Sequence, residues 1–481
     1  MKTNTTFNTG LLLAAACLSF QAAAQVPAAS ATRTTQLQAL SSALYQRDLQ
    51  DRQTVQAYAH RLGIPIRREL PNGRVLELQR LLPGPLLSQK PVFYITNNIV
   101  AADTVSTDDV WPGGAAGLDL DGVGMSLSQW DGGAVFADHP DFAGRLTQVD
   151  GAAVISGHSP HVAGTLIGGG DWLYADSRGM AFEAHLDAYD WNSDTAEMAA
   201  AAALGELVSN HSYGIAAGWI YLGGSPPDQW WWIGGADAAD VEDPNFGYYD
   251  SESQLWDQIA YDAPYYLPVK AAGNDRSDFG AAPGEEYTVI DQQGNFLFTS
   301  TLPRNPDCAP AGYDCLPGHS VAKNILTVGA VDDLPGGYSV LGGPGSVAMA
   351  DFSSWGPTDD GRIKPDLVGN GMFLFSAWPD SPYYALAAGT SMAAPNVTGS
   401  LLLLQQHYEN VHGSGQFMRG ATLKALAIHT ADETGDAPGP DYEFGWGLLN
   451  TRTAARVISE DGARTGSSRA VSPTAACRRI R

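Results

Sequence analysis

Four cysteines in 481 residues (Cys17, Cys308, Cys315 and Cys477) are too few to staple a small scaffold. Stability must therefore come from apolar burial, and a 44 % hydrophobic chain of this length can build one large core plus a smaller module. There is no His-Glu-x-x-His sequence, which removes that class of zinc hydrolase. No stretch reaches about 18 uninterrupted apolar residues, so no spanning helix is expected. Charge is sparse at 16 %, and basic charge sparser still, with 27 Lys and Arg against 52 Asp and Glu. So acidic a surface is a poor match for nucleic acid, and neither nucleic acid nor membrane is expected as a partner. Solvation and calcium binding both remain open as explanations of the acidic excess.

What is present begins with Lys2, the apolar run Leu11 to Phe20 and Ala22-Ala23-Ala24 before Gln25. Residues 1–24 read as a secretory signal peptide, so export is expected, to the periplasm or the medium. Residues 26–100 hold nine basic and four acidic side chains, a net of +5, whereas 101–457 hold 12 basic and 46 acidic, a net of −34. Opposite signs favour docking of one segment on the other. A helix is predicted over Gln36 to Leu62, with strands at 73–78 and 92–96. From about 458 the chain turns Ser, Arg and Ala rich, and 458–481 are expected to be a disordered tail.

The chemistry gathers around Gly389-Thr390-Ser391-Met392-Ala393-Ala394-Pro395, which leads into the apolar run Leu401 to Leu404. A serine there would stand at a helix N-terminus, where unpaired N–H groups favour developing negative charge. Pro395 is compatible with a first turn. A hydroxyl nucleophile needs a base and a carboxylate to orient that base. Val123 to Trp130 reads as a buried strand with Asp131-Gly132-Gly133 at its carboxyl end, and His158 opens a helix in Gly157-His158-Ser159-Pro160-His161-Val162-Ala163-Gly164. The alternation of strands and helices from 184 to 331 implies a parallel sheet with helices on both faces.

In these blocks, and over roughly 115 to 457, the chain resembles the subtilisin-like serine proteases, the subtilases. The order Asp, His, Ser is theirs. The resemblance implies a parallel, doubly wound α/β sheet preceded by a small α+β prosegment at 25–100, with the peptidase domain at 101–457. It further implies an acyl-enzyme endopeptidase in which Ser391 attacks, His158 is the base, Asp131 orients it and Asn274, in Ala271-Ala272-Gly273-Asn274, donates to the oxyanion. Ser212-Tyr213-Gly214 and Ala271, Ala272 and Gly273 look like the family's substrate-binding segments, the first able to pair with an extended peptide. Asp141, in His139-Pro140-Asp141-Phe142, matches a family calcium ligand. The chemistry itself would need no cofactor, with structural calcium as an option. Expected partners are protein or peptide substrates and the chain's own prosegment as an intramolecular inhibitor, on a monomer. Ser159-Pro160 and Gly132 depart from the family pattern.

Two insertions are expected, at 215–249 and 275–319. The first is dense in Trp and Tyr and reads as loop packing before it reads as a cleft wall or docking surface. The second carries Cys308 and Cys315, read as a disulfide. His161 and His211 read as packed, hydrogen-bonded residues. Pro268 and Lys270 sit awkwardly in a predicted buried strand, and no account of them follows from sequence. A catalytically dead member of the family, used for binding, is the competing reading.

Overall fold

A computed structural model describes residues 31–69, 75–83, 89–96, 102–170, 177–235, 237, 241–290, 295–308, 312–339, 341–379 and 383–465. The expected signal peptide at 1–24, Cys477 and the end of the tail lie outside the described residues.

The basic segment forms a module of helix α1 (Ala31–Leu62) and strands β1 (Arg67–Glu69), β2 (Val75–Pro83) and β3 (Gln89–Thr96). On α1 the buried residues Leu37, Leu44, Val55 and Tyr58 mark the apolar stripe by which such a helix docks. The strands pair antiparallel in the order β1-β2-β3.

Strands then alternate with helices: β4 (Ser126–Asp131), β5 (Leu146–Gln148), α2 (His158–Ile167), β6 (His185–Asp190), α3 (Asp194–Leu204) and β7 (Val208–His211). After the short β8 (Tyr213–Ile215) come β9 (Trp219–Tyr221), β10 (Trp230–Trp232), α4 (Ser251–Asp262), β11 (Leu267–Ala271), β12 (Tyr287–Ile290), β13 (Phe296–Thr299), β14 (Leu326–Val331) and β15 (Leu367–Asn370). The hairpin β16 (Leu374–Ala377) and β17 (Tyr384–Ala387) precedes α5 (Thr390–His412), α6 (Gly420–Thr430) and α7 (Thr451–Thr465).

The main sheet has seven strands, all parallel, in the order β15-β14-β11-β7-β4-β6-β5. Period-two alternation divides each strand between two faces. Leu127, Val208 and Val269 pack with α2 and α5, whereas Trp130, one position out of phase with Leu127, packs with α3 and α4. Asp131 shares phase with Leu127. It therefore leaves the sheet on the face where α2 and α5 begin, carrying His158 and Ser391.

The two insertions are not separate loops. Trp231 of the first pairs with Thr288 of the second, and β13-β12-β10-β9 make one four-stranded sheet. Its inner residues, the aromatics Trp219, Trp232 and Tyr287 with Val289, form a small core of their own. Ala216, Ile220, Leu222 and Ile233 pack instead with Val55, Tyr58, Leu76, Leu78 and Phe93 of the N-terminal module, so the aromatic segment also docks another part of the chain. Cys308 and Cys315 are disulfide-bonded, with Cα atoms 4.9 Å apart.

Two expectations need correction, and one oddity of the sequence finds its account. The alanine-rich sequence from Asp194 reads as a helix to Leu207, but the helix stops at Leu204, because Gly205 takes φ +103° and donates back to the last turn. The tail expected to be disordered from 458 is helical through Thr465, where Ala454, Ala455 and Ile458 give α7 a buried face. Pro268 and Lys270 do lie in a central strand. Pairing of β11 with β14 begins only at Val269, so the N–H that Pro268 lacks falls at the strand's start.

Candidate active site

Asp131 ends β4 with its side chain wholly buried. Its Oδ1 takes three donors: Nδ1 of His158 at 2.6 Å, the hydroxyl of Ser159 at 3.1 Å and the backbone N–H of Gly132 at 2.6 Å. Thus the Nδ1 nitrogen of His158 is committed to Asp131, and the imidazole is oriented as a base requires. Ser159, a departure from the family pattern, strengthens that hold. Sequence reasoning missed it, although a hydroxyl one residue after a helix-initial histidine was available to be noticed.

Ser391 is the second residue of α5 and is fully buried. Its hydroxyl donates to the carbonyl of Ser212 at 2.6 Å, while the Ser212 hydroxyl donates to the carbonyl of Ser391 at 2.7 Å. The second bond answers a question raised by Pro395. Placed in the second turn and not the first, Pro395 has no N–H to give to Ser391, four residues back, and Ser212 supplies the missing donor. The N–H of Ser391 itself belongs to the first turn, where no intrahelical carbonyl is in reach.

Asn274 follows β11, and its Oδ1 accepts from both the N–H and the hydroxyl of Thr390, at 3.0 and 2.9 Å. With the oxygen so held, Nδ2 faces the other way, as an oxyanion donor needs. The same Thr390 hydroxyl receives the N–H of Gly273 at 3.2 Å. At Gly273, φ is +121° and a Cβ would lie 2.6 Å from Oδ2 of Asp275, so glycine is required there. Ala271 closes β11 and Ala272 donates to Val328. Tyr213 and Gly214 lie in β8, whose edge is taken: β3 runs antiparallel along it, with Tyr94 opposite Ile215, Ile95 opposite Gly214 and Thr96 opposite Tyr213.

His161 and His211 are buried. Burial takes His161 down to about 3 while its Nε2 bonds the carbonyls of Leu374 and Ala385. His211 stacks on Trp130 with ring centroids 5.1 Å apart and bonds the hydroxyls of Ser209 and Tyr213. Asp141 does not fit the calcium expectation. Its two carboxylate oxygens accept from Ser177 at 2.8 Å and Tyr384 at 2.9 Å, hydroxyl donors standing where a cation would need further oxygen ligands. Among the described residues, Asp275, Asp278 and Asp307 each bring a carboxylate oxygen within 4.8 Å of the others.

The sequence model of the Subtilase family matches residues 129–447. The chain belongs to this family. Over 116 residues this subtilase is 44 % identical to the C5a peptidase of Streptococcus pyogenes serotype M3, a match spanning 23 % of the chain and 9 % of that protein. It is 34 % identical over 106 residues to the "Serine protease/ABC transporter B family protein tagB" of Dictyostelium discoideum, across 17 % of the chain and 6 % of that protein. The chain thus spans less than a tenth of either relative's length. The fold is that of the Clostridium perfringens CspB protease, at 16 % identity and a TM-score of 0.52, with 74 % of this chain and 99 % of that one covered. The family and the parallel sheet are those expected from the sequence.

Proposed function

We propose that this subtilase is an exported serine endopeptidase that hydrolyses peptide bonds through an acyl-enzyme on Ser391. The observation that carries the reading is the convergence of Asp131, His158, Asn274 and Ser391 on one end of the sheet, with His158 Nδ1 2.6 Å from Asp131. Peptide binding turns the Ser391 hydroxyl from the Ser212 carbonyl toward His158. The Ser391 oxygen then adds to the scissile carbonyl carbon as its proton passes to His158. Asn274 Nδ2 and the Ser391 N–H receive the oxyanion. Collapse breaks the C–N bond, and the amine leaves with the proton from His158. Water, deprotonated by the same histidine, then releases the acyl group. No cofactor enters this sequence.

The N-terminal module is a self-cleaved prosegment in this reading. Its strand β3 lies on the β8 edge that a substrate would use, and Thr96 stands beside Tyr213, the neighbour of the Ser212 carbonyl that holds Ser391. Arg67 of β1 donates to the carbonyl of Gly132, the residue after Asp131. The leader at 1–24 and the disulfide agree with export.

The test is N-terminal sequencing and intact mass of the exported protein, wild type beside Ser391→Ala. Loss of residues up to near 100 in the wild type and their retention in the variant is the expected result. Both proteins intact from Gln25, with no labelling of the wild type by a covalent serine-hydrolase probe, would return the chain to the binding reading.

A further inference from the structure

Lys270 has no part in the chemistry above, and its position is an expensive one. It lies in the central strand β11, 0 % exposed, and its Nζ has no hydrogen-bond partner among the described residues. Parallel register places it in a row across the sheet, Tyr189 beside Trp130, Trp130 beside His211 and His211 beside Lys270. The first three of these are stacked rings, with centroids 4.5 and 5.1 Å apart. At the end of the row the ammonium sits 4.6 Å from the ring centroid of Tyr213. The hydroxyl of Tyr213 donates to Asp194 at 2.7 Å and meets His211 Nδ1 at 3.1 Å. Tyr213 is thus gripped at ring and hydroxyl from beneath, while its backbone forms part of β8.

We propose that Lys270 is a positioning residue for the substrate edge: its ammonium under the Tyr213 ring, with the hydroxyl tied to Asp194, holds β8 in the register an incoming strand must meet. This rests on reading β8 as that edge. A desolvated cation over an aromatic face is held by the ring quadrupole, and a neutral amine is not. The charged and titratable groups around Lys270 are Asp194, Asp131, His211, His319 and Arg80. Burial, and then the Lys270 cation itself, keep His211 and His319 well below the usual range, so both are neutral. Burial lifts Asp194 to about 6. Burial also brings Lys270 down to about 7, against the upward pull of Asp194 and Asp131. The cation is therefore present below that pH and lost above it, and the edge loosens as pH rises from 6 to 8.

The strand β3 already occupies the edge, which allows a test free of catalysis. In full-length Ser391→Ala protein, amide hydrogen exchange at Tyr213 to Ile215, corrected for intrinsic rate, should lose about tenfold in protection between pH 6 and pH 8. Lys270→Met should show the low protection at both pH values without a lower melting temperature, since an apolar side chain replaces a buried charge. Tyr213→Phe should lower protection and keep the pH dependence, and it serves if Lys270→Met does not fold. In the self-processed active protein, Lys270→Met should raise peptide KM about tenfold at pH 6 with kcat nearly unchanged. Equal protection at pH 6 and 8 in the Ser391→Ala protein overturns the proposal, as does a loss confined to kcat. A wild type without peptidase activity whose exchange follows the expected pattern would instead sink the peptidase reading and leave standing only the hold of Lys270 on β8.

Discussion

The grip of the N-terminal module on the peptidase domain can be tested at Glu252, the first-turn carboxylate of α4. Its Oε1 accepts at 2.6 Å from both Arg47 of α1 and Arg80 of β2. Glu252 and Arg80 are 4 % and 8 % exposed, whereas the Arg47 side chain is 33 % exposed. In Glu252→Leu the buried Arg80 guanidinium loses this partner and keeps the weaker attraction of Asp51, so the loss falls at the low end of the about 3 to 5 kcal/mol seen for pairs of this kind. Arg47 can turn to water and adds no more than about 1 kcal/mol. Taking the lower end, about 3 kcal/mol, the cleaved module should be held roughly 100-fold more weakly. The assay, on the complex that self-cleavage would leave in the reading proposed above, is gel filtration over a dilution series, following the fraction of module that co-elutes. Adding Arg80→Met should recover most of the loss, because no unpaired charge then remains. Affinity within threefold of wild type for Glu252→Leu, or a double variant as weak as the single one, would refute the assignment of binding energy to this pair.

Two further outcomes concern Asn274 and Asp366. Asn274→Ala should lower kcat by about 10² to 10³ with little change in KM, measured on a peptide ester and a peptide amide, the cost of losing one oxyanion donor in enzymes of this fold. Asp366 is buried and accepts from Lys364 and Lys424 at 2.7 Å each. Burial alone would raise its carboxyl, but the two ammonium groups override this and hold it below the usual range. Its stabilising contribution is thus present above about pH 4 and lost on acidification through its folded value. Asp366→Asn should lower the melting temperature at pH 7, by the equivalent of about 3 kcal/mol or more, and the gap to wild type should narrow below pH 4.

The candidate catalytic blocks stand out in the sequence because each is local: a strand end, a helix start and a turn, with the candidate side chain at the boundary. What joins them could not. Nothing near Pro395 announces that Ser212 will serve the Ser391 carbonyl, and nothing near Thr390 announces that it will orient Asn274. The aromatic insertion reads as loop packing because its strand partner, β12, lies in the other insertion. Its docking face needs β2, β3 and α1, far upstream. The tail misleads by composition, since Ala and Arg around 458 suit a solvated chain until α5 provides a surface to cover. Lys270 is the plainest case. A lysine inside a strand is an anomaly in one dimension and intelligible only once Tyr213 and Asp194 stand beside it.

The shared sheet β1-β2-β3-β8 also bears on the lifetime of the protein. The first three strands leave the ribosome early, but their fourth partner is made only when Ile215 has been added. Until then the β3 edge that β8 covers has no partner in this sheet. In the reading proposed above, a protein that has shed the module has lost three of the four strands of this sheet. Its persistence is then set by the height of the unfolding barrier and not by the balance between folded and unfolded states.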